Sequence, residues 1–244
     1  MTSSNAVPPR SGPSGDEPGA RLLDLVGIVD TLRRSCPWDR EQTHASLLRY
    51  LLEEAYEAAE TIETDDMPAL REEIGDVLFQ VLFHARIASE RSADDGGFTI
   101  DDVADTLAAK LIRRHPHVFG AVSVSSAADV NANWEEIKKA ERAQRAAETE
   151  SGPPSVLDGV VFGQPALALA AQLQRRAERA GFSTAPSPSG GGASAAEELG
   201  DELFRVAARA SAAGIDPELE LRSAARRYAD LLRSWERSNP PMPA

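Results

Sequence analysis

The sequence predicts an all-α protein, and three observations lead to that fold class. Apolar residues recur every three or four positions along most of the chain, the spacing that places them on one face of an α-helix. Residue pairs typical of helix starts, together with proline and glycine, separate these stretches. Strand signals are weak, because β-branched residues are sparse and no Asn-Gly hairpin turn occurs. We therefore expect a helical bundle.

The first two helices are expected on either side of a proline-containing turn. Apolar spacing predicts a helix over residues 21–35, which the run from Cys36 to Asp39 should end. Asp39 with Gln42 three positions later resembles a capping box, so a second helix should begin there and continue to about Ile62.

The next two helices also have recognisable starts. Pro68 suits the first turn of a third helix that continues to about Ser89. Thr99 with Asp102 resembles an N-cap, which predicts a fourth helix ending near Arg114.

The remaining helices are expected to be interrupted by proline and glycine. A breakpoint is predicted at residues 151–154, and residues 187–192 resemble a low-complexity linker. The predicted helices are 128–147, 165–180, 195–213 and 217–238.

Composition excludes several classes of protein. The formal net charge is −13, with 39 acidic against 26 basic residues, which argues against a nucleic-acid partner. Cys36 is the one cysteine, and no apolar run is long enough to span a bilayer. Residues 1–20 lack the apolar stretch of a signal peptide. We therefore expect a cytoplasmic protein without a membrane or nucleic-acid partner.

An internal repeat indicates the domain organisation. The segment from Glu72 to Phe79 returns, with most residues conserved, as Glu197 to Phe204. We expect a disordered tail over residues 1–20, a catalytic helical domain over 21–150 and a related but degenerate helical unit over 151–244.

Five carboxylates form the candidate catalytic set. Glu53, Glu54 and Glu57 fall on roughly one side of a helix, and Glu73 and Asp76 are one turn apart on the next helix. A short connection favours antiparallel packing, which brings both groups towards the bundle interior. Converging carboxylates repel one another unless a cation compensates, and Mg²⁺, or Mn²⁺ in its place, prefers such oxygen ligands. The alternative is an acidic stripe that is simply exposed to solvent.

These residues lie in a series of motifs that resembles the MazG family of nucleoside triphosphate pyrophosphohydrolases. Glu53-Glu54-x-x-Glu57 followed by Glu73-x-x-Asp76 resembles the metal-binding signature of that all-α superfamily. Further motifs follow in family order, and the resemblance extends from about Leu22 to Glu141 and then weakly to the end. These motifs are residues 36–39, 41–44, 50–54, 75–80, 113–119 and 134–138.

The resemblance implies a role for each matching residue. The implied Mg²⁺ ligands are Glu54, Glu57, Glu73 and Asp76, with Glu53 as a supporting or proton-accepting carboxylate; together these five are the expected catalytic residues. The expected substrate-binding residues are Tyr50, Lys110, Arg113, Arg114, Trp134 and Lys138.

The resemblance also implies an activity and an assembly. It implies hydrolysis of NTPs or dNTPs to the monophosphate and pyrophosphate, which removes unwanted nucleotides from the pool, and a homodimer. A non-catalytic regulator that binds metal or nucleotide is the alternative. Glu197, Glu198 and Asp201 persist in the second unit, but residues 181–193 replace the acidic partner helix there. We therefore expect the second unit to be structural.

Some residues allow a purely structural interpretation. Trp38 could stack on a base, although an aromatic residue before a helix more often packs locally. His84 is expected on the core-facing side of its helix, where an internal histidine with satisfied hydrogen bonds is the simpler interpretation. Arg113 and Arg114 could instead stabilise a helix C-terminus, and Lys138 could pair with neighbouring acids.

Overall fold

The protein is described here by a computed structural model that covers residues 19–126, 155–182 and 194–239, with single residues and short runs between 129 and 144. All regular secondary structure within these residues is helical, which confirms the predicted fold class. The chain divides into two compact units at Val130. The breakpoint expected at residues 151–154 lies outside the described residues, and the three-part division of the chain stays a prediction.

The described residues form helices in both units. Those of the first unit are α1 (Ala20–Ser35), α2 (Pro37–Glu41), α3 (His44–Thr64), α4 (Met67–Ala88), α5 (Ile100–Arg114) and α6 (Pro116–Phe119), with a 3₁₀ turn at Ala93–Asp95. Those of the second unit are α7 (Ala166–Arg179), α8 (Ala195–Ala212) and α9 (Pro217–Ser238). None of these helices combines the length and apolar composition needed to cross a bilayer.

The start of α3 corrects one prediction. Asp39 does not cap a long helix; it lies within the five-residue α2, which has Pro37 at its first position, where the fixed φ of proline suits a helix start. The N-cap of α3 is Thr43, whose hydroxyl accepts a hydrogen bond from the Ser46 amide at 3.1 Å. The Ser46 hydroxyl accepts in turn from the Thr43 amide at 2.9 Å. A capping box therefore forms four residues later than expected.

The connection between α3 and α4 positions the candidate site. α3 ends at Asp65 with φ of 56°, in the left-handed region, and the Asp66 carboxylate caps α4 by accepting from the Ala69 amide. The two-residue connection lays the helices antiparallel along their length. The predicted start of α5 is also confirmed, because Thr99 and Asp102 form a capping box.

The core of the first unit lies where α1, α3 and α4 meet. Its buried side chains are Val29, Leu47, Leu82, Phe83 and Ile87, of which Val29, Leu47 and Phe83 are the most completely buried. Close packing of this cluster fixes α3 against α4 and so fixes the surface on which the carboxylates lie.

A buried arginine ties three elements to this core. The Arg33 guanidinium, on α1, donates to both Glu90 carboxylate oxygens, at 2.7 and 2.8 Å. It also donates to the carbonyls of Asp39 and Gln42, the latter at 2.9 Å. One side chain thereby joins α1, the turn around α2 and the end of α4.

Among the described residues, the second unit has fewer buried side chains than the first. Its buried residues include Ala170, Ala171 and Ala207, on the facing surfaces of α7 and α8. The Gln174 side chain donates to the Phe204 carbonyl at 2.7 Å and joins these two helices.

Candidate metal centre

The antiparallel pair of α3 and α4 brings three carboxylates together. Glu54 and Glu57 project from consecutive turns of α3, and Glu73 projects from α4. One oxygen of each lies within 4.8 Å of the others. Glu54 and Glu73 are half-buried and Glu57 is exposed, so the cluster is open to solvent on one side. We call these three residues the carboxylate cluster.

Burial and like charge both disfavour the ionised cluster. Burial raises the pKa of Glu54, and the charges of Asp76, Glu57 and Glu73 raise it further. The pKa of Glu73 is also raised, first by loss of solvent at the helix interface and then by the charges of Glu57, Asp76 and Glu72. Such mutual repulsion is the condition that a bound cation relieves.

The other two predicted catalytic acids lie beside the cluster. Asp76 is exposed on α4, one turn after Glu73, and its charge acts on both Glu54 and Glu73. Glu53 is exposed on α3 and does not belong to the group of oxygens within 4.8 Å. The structure therefore separates Glu53 from Glu54 and Glu57, with which its helical spacing had grouped it.

The donor set suits a hard divalent cation. Carboxylate oxygens from two helices are the ligands that Mg²⁺ and Mn²⁺ accept, and Mg²⁺ usually keeps water or substrate oxygens in its remaining positions. The exposed side of the cluster provides space for those ligands. Histidine and cysteine, which softer metals favour, are absent from the cluster.

The predicted phosphate-binding residues of the first unit lie at the end of α5. Lys110, Arg113 and Arg114 follow one another at helical spacing, so they share one side of the last turn. Lys110 and Arg114 are half-buried and Arg113 is exposed. Their position also fits the structural interpretation, because cations stabilise a helix C-terminus.

The aromatic candidates contact neighbouring side chains. Tyr50, one turn before Glu54 on α3, has its hydroxyl bonded by Arg49, whose guanidinium carbon lies 4.4 Å from the Tyr50 ring centre. The Trp38 ring meets Tyr50 edge-on at 6.0 Å and is half-exposed. Trp134 and Lys138 lie in the second unit, where the Lys138 amine is 4.7 Å from the Trp134 ring centre.

One contact of the α3–α4 pair was not predicted. His44 Nδ1 and His84 Nδ1 are 2.8 Å apart, across the end of the helix pair opposite the Asp65 turn. Helical spacing placed His84 towards the interior, but a partner forty positions away depends on the register of two helices, which periodicity does not set.

Known proteins place these features in a family. A model of the MazG nucleotide pyrophosphohydrolase domain matches residues 42–119. The chain is 38% identical, over 90% of its length, to the nucleoside triphosphate pyrophosphohydrolase/pyrophosphatase MazG of Thermotoga maritima, and it covers 87% of that protein. The chain belongs to the MazG family.

Two further relatives are similar to the chain over most of its length. The chain is 48% identical over 91% of its length to an uncharacterized 26.1 kDa protein of the blaB 3′ region of Streptomyces cacaoi, covering 86% of it. It is 44% identical over 90% of its length to the nucleoside triphosphate pyrophosphohydrolase of Mycobacterium tuberculosis, of which it spans 59%. The MazG domain match includes all of α3, α4 and α5, and hence the carboxylate cluster and the basic residues of α5.

Proposed function

We propose that this chain is a hydrolase that converts NTPs or dNTPs, with water, into the corresponding monophosphate and pyrophosphate as a nucleotide-pool housecleaning enzyme. The observation that carries the proposal is the carboxylate cluster, three acids from two helices within 4.8 Å, inside the segment that matches the MazG domain. Relatives named nucleoside triphosphate pyrophosphohydrolase support the same reaction.

The proposed cofactor is Mg²⁺, with Mn²⁺ as a substitute. Glu54, Glu57 and Glu73 would hold it, with Asp76 as the fourth protein ligand beside them. When bound, the ion supplies charge neutralisation at phosphate oxygens and lowers the pKa of a water molecule. Glu53, outside the cluster, is free of metal ligation in this scheme and accepts the proton of the attacking water.

The basic and aromatic residues bind the substrate in this proposal. Lys110, Arg113 and Arg114 hold the phosphates and offset the charge that develops on the pyrophosphate leaving group. Tyr50 contacts the nucleotide beside the cluster. Trp134 and Lys138 are proposed as further nucleotide contacts, on their match to family positions.

We also propose that the protein works as a homodimer in the cytoplasm. Several large apolar residues of α3 and α4 are about half-exposed in one copy, which a second copy would cover. They include Leu48, Leu52, Ile74 and Val81. A monomer in sedimentation velocity at micromolar concentration would contradict the dimer. The single cysteine supports a reducing compartment, and the net charge of −13 supports the absence of a nucleic-acid partner.

The test is the identity of the products. Purified protein with Mg²⁺ is incubated with a panel of NTPs and dNTPs, and monophosphate and pyrophosphate are quantified. We expect equal amounts of both, and loss of turnover in Glu54→Ala and Asp76→Ala. Release of orthophosphate instead would contradict cleavage between the α and β phosphates. Metal binding without turnover on any nucleotide would favour the non-catalytic regulator.

A further inference from the structure

The unexpected contact between His44 and His84 has the geometry of a hydrogen bond along a straight line. The ring planes differ by 4°, and the ring centres are 5.1 Å apart. This separation exceeds the 2.8 Å between the Nδ1 atoms by only about two imidazole ring radii. The two nitrogens therefore point directly at each other within one plane, in an N–H···N bond.

This geometry is unsuited to a shared metal ion. Two nitrogens that ligate one metal ion either aim at a common point beside the line between them or, in trans positions, lie about 4 Å apart, twice the usual metal–nitrogen distance, whereas these two are 2.8 Å apart. Here each nitrogen aims at the other. The contact needs one proton between the rings, given by one imidazole and accepted by the other, because a neutral imidazole has one donor and one acceptor.

The His84 ring lies on a part of α4 that has buried polar atoms. Among the described residues, His84 Nε2 and Gln80 Oε1 are buried without a hydrogen-bond partner, and Gln80 is only 3% exposed. Gln80 and His84 lie one turn apart on α4, and neither of these two atoms makes a hydrogen bond, so the contact with His44 is the hydrogen bond that holds the His84 ring. One of the two rings donates its Nδ1 proton and the other accepts it.

We infer that His44 and His84 are positioning residues for the carboxylate cluster, holding α3 against α4 by a hydrogen bond that a second proton breaks. The α3–α4 pair is closed at one end by the Asp65 turn and at the other by this bond. The cluster lies between, about 15 Å from His44 along α3. This inference rests on the proposed metal site.

Among the described residues, His44 is the charged group that shifts the pKa of His84. Burial lowers the pKa of His84, and the charge of His44 lowers it further. The other charged groups at this end of the unit have hydrogen-bond partners of their own. Arg33 of α1 binds Glu90 and the backbone of α2, Arg86 of α4 binds Asp30 and Glu90, and Asp102 of α5 binds Thr99.

The sign of the pH dependence follows from the lowered pKa. A histidine whose pKa is lower in the folded protein contributes stability that is present above its ordinary value of about 6.5 and is lost as pH falls below it. Protonating the accepting ring leaves two donors face to face. We therefore expect the helix pair to loosen, and metal affinity to fall, as pH drops through this range.

The experiment uses two variants at His44 of the full-length chain. His44→Asn keeps an uncharged amide that can donate to or accept from His84, and so removes the dependence on a second proton. His44→Leu removes the bond. Ala45→Leu, at the exposed neighbouring position, controls for an added leucine. Mn²⁺ affinity is measured by calorimetry between about pH 7 and pH 5.5, where histidine titrates.

We expect wild type, His44→Asn and Ala45→Leu to bind Mn²⁺ equally at neutral pH, and His44→Leu to bind roughly tenfold more weakly, as when a residue supporting a metal ligand is removed. On acidification, wild type should lose more affinity than His44→Asn, whose remaining loss reports the carboxylates. Nitrogen NMR should show a bonded Nδ1 proton on one of the two rings, and that proton should disappear in the same range.

Two results would overturn the inference, and they are distinguishable. Unchanged Mn²⁺ affinity in folded His44→Leu, with the same pH profile in His44→Asn as in wild type, would make the histidine bond purely structural. Absence of Mn²⁺ binding by wild type, with the bonded proton still visible by NMR, would instead remove the proposed metal site on which the positioning role depends.

Discussion

The two units place the same sequence pattern at different points of their helices. Glu73 is in the seventh position of α4, well inside the helix, where it meets the acids of α3. Its counterpart in the repeat, Glu198, is in the first turn of α8. Glu197 accepts from both the amide and the hydroxyl of Ser194, at 2.8 and 2.9 Å, and those bonds lower its pKa. In the first unit the second acid of the pair, Glu73, therefore belongs to the carboxylate cluster, whereas in the second unit the first acid, Glu197, belongs to a helix cap.

The neighbouring helix completes the difference. α3 contributes Glu54 and Glu57 to the cluster, whereas α7, which packs on α8, contacts it through the Gln174 amide. Glu73 is proposed as a metal ligand because α3 supplies two further carboxylates within 4.8 Å, and α7 supplies no such group to Glu198 among the described residues. The comparison teaches that the motif alone does not determine the surroundings of its acids; the start of the helix and the helix packed against it do.

Charge removal in each repeat is expected to give the largest contrast. Glu73→Gln should lower turnover about 100-fold or more, because a lost metal ligand removes several kcal/mol of charge stabilisation in the transition state. Glu198→Gln should leave it unchanged. Steady-state pyrophosphate release at saturating Mg²⁺ measures both. Loss of activity in a folded Glu198→Gln protein would mean that the second unit takes part in catalysis.

The second-largest contrast is expected when an ion pair is broken in each unit and the loss of unfolding free energy is compared. Arg33→Ala should cost about 2–3 kcal/mol of unfolding free energy, because it strips a buried guanidinium from Glu90 and from two backbone carbonyls. Arg233→Ala removes an exposed partner of Asp230 and should cost less than about 0.5 kcal/mol. Urea unfolding followed by circular dichroism compares them. Equal losses would show that the Arg33 contacts do not organise the first unit.

The cap in the second unit should have an intermediate effect. Ser194→Ala should lower stability by about 1 kcal/mol, the usual cost of a lost N-cap. Glu197→Ala should act in the same direction, since its carboxylate completes the box, while Mn²⁺ affinity stays as in wild type. A change in metal affinity in either variant would place a ligand in α8.

The smallest effect concerns pH and the metal-free cluster. Glu54 and Glu73 have raised pKa values, so their contribution to stability is present below about pH 4.5 and is lost as pH rises through those values. Metal-free Glu73→Gln should therefore melt about 1–2 °C above wild type at neutral pH, with the gain vanishing in acid. Added Mn²⁺ should reverse the order. Scanning calorimetry across pH checks this, with Glu198→Gln as the matched control.

The helices were predictable because their signals are local. The caps at Thr99 and the start of α4 after Asp66 depend on residues within one turn, and the structure confirms them. The start of α3 was wrong because two local signals compete, and Pro37 and Thr43 together displace Asp39 from the cap position.

The candidate site could be predicted only in part. Spacing grouped Glu53 with Glu54 and Glu57, but which of two adjacent acids faces α4 depends on the rotation of α3, which core packing around Leu47 sets. The His44–His84 bond depends likewise on the register between helices. The roles of the substrate-binding residues remain predictions.

The location of a bound cation tests the central claim most directly. Crystals grown with Mn²⁺ can be measured at a wavelength where manganese scatters anomalously, which reveals the ion without assumptions about its ligands. We predict a peak within coordination distance of Glu54, Glu57 and Glu73, and none at Glu198 or Asp201. A peak in the second unit with none at the carboxylate cluster would contradict the assignment of the metal centre to the first unit.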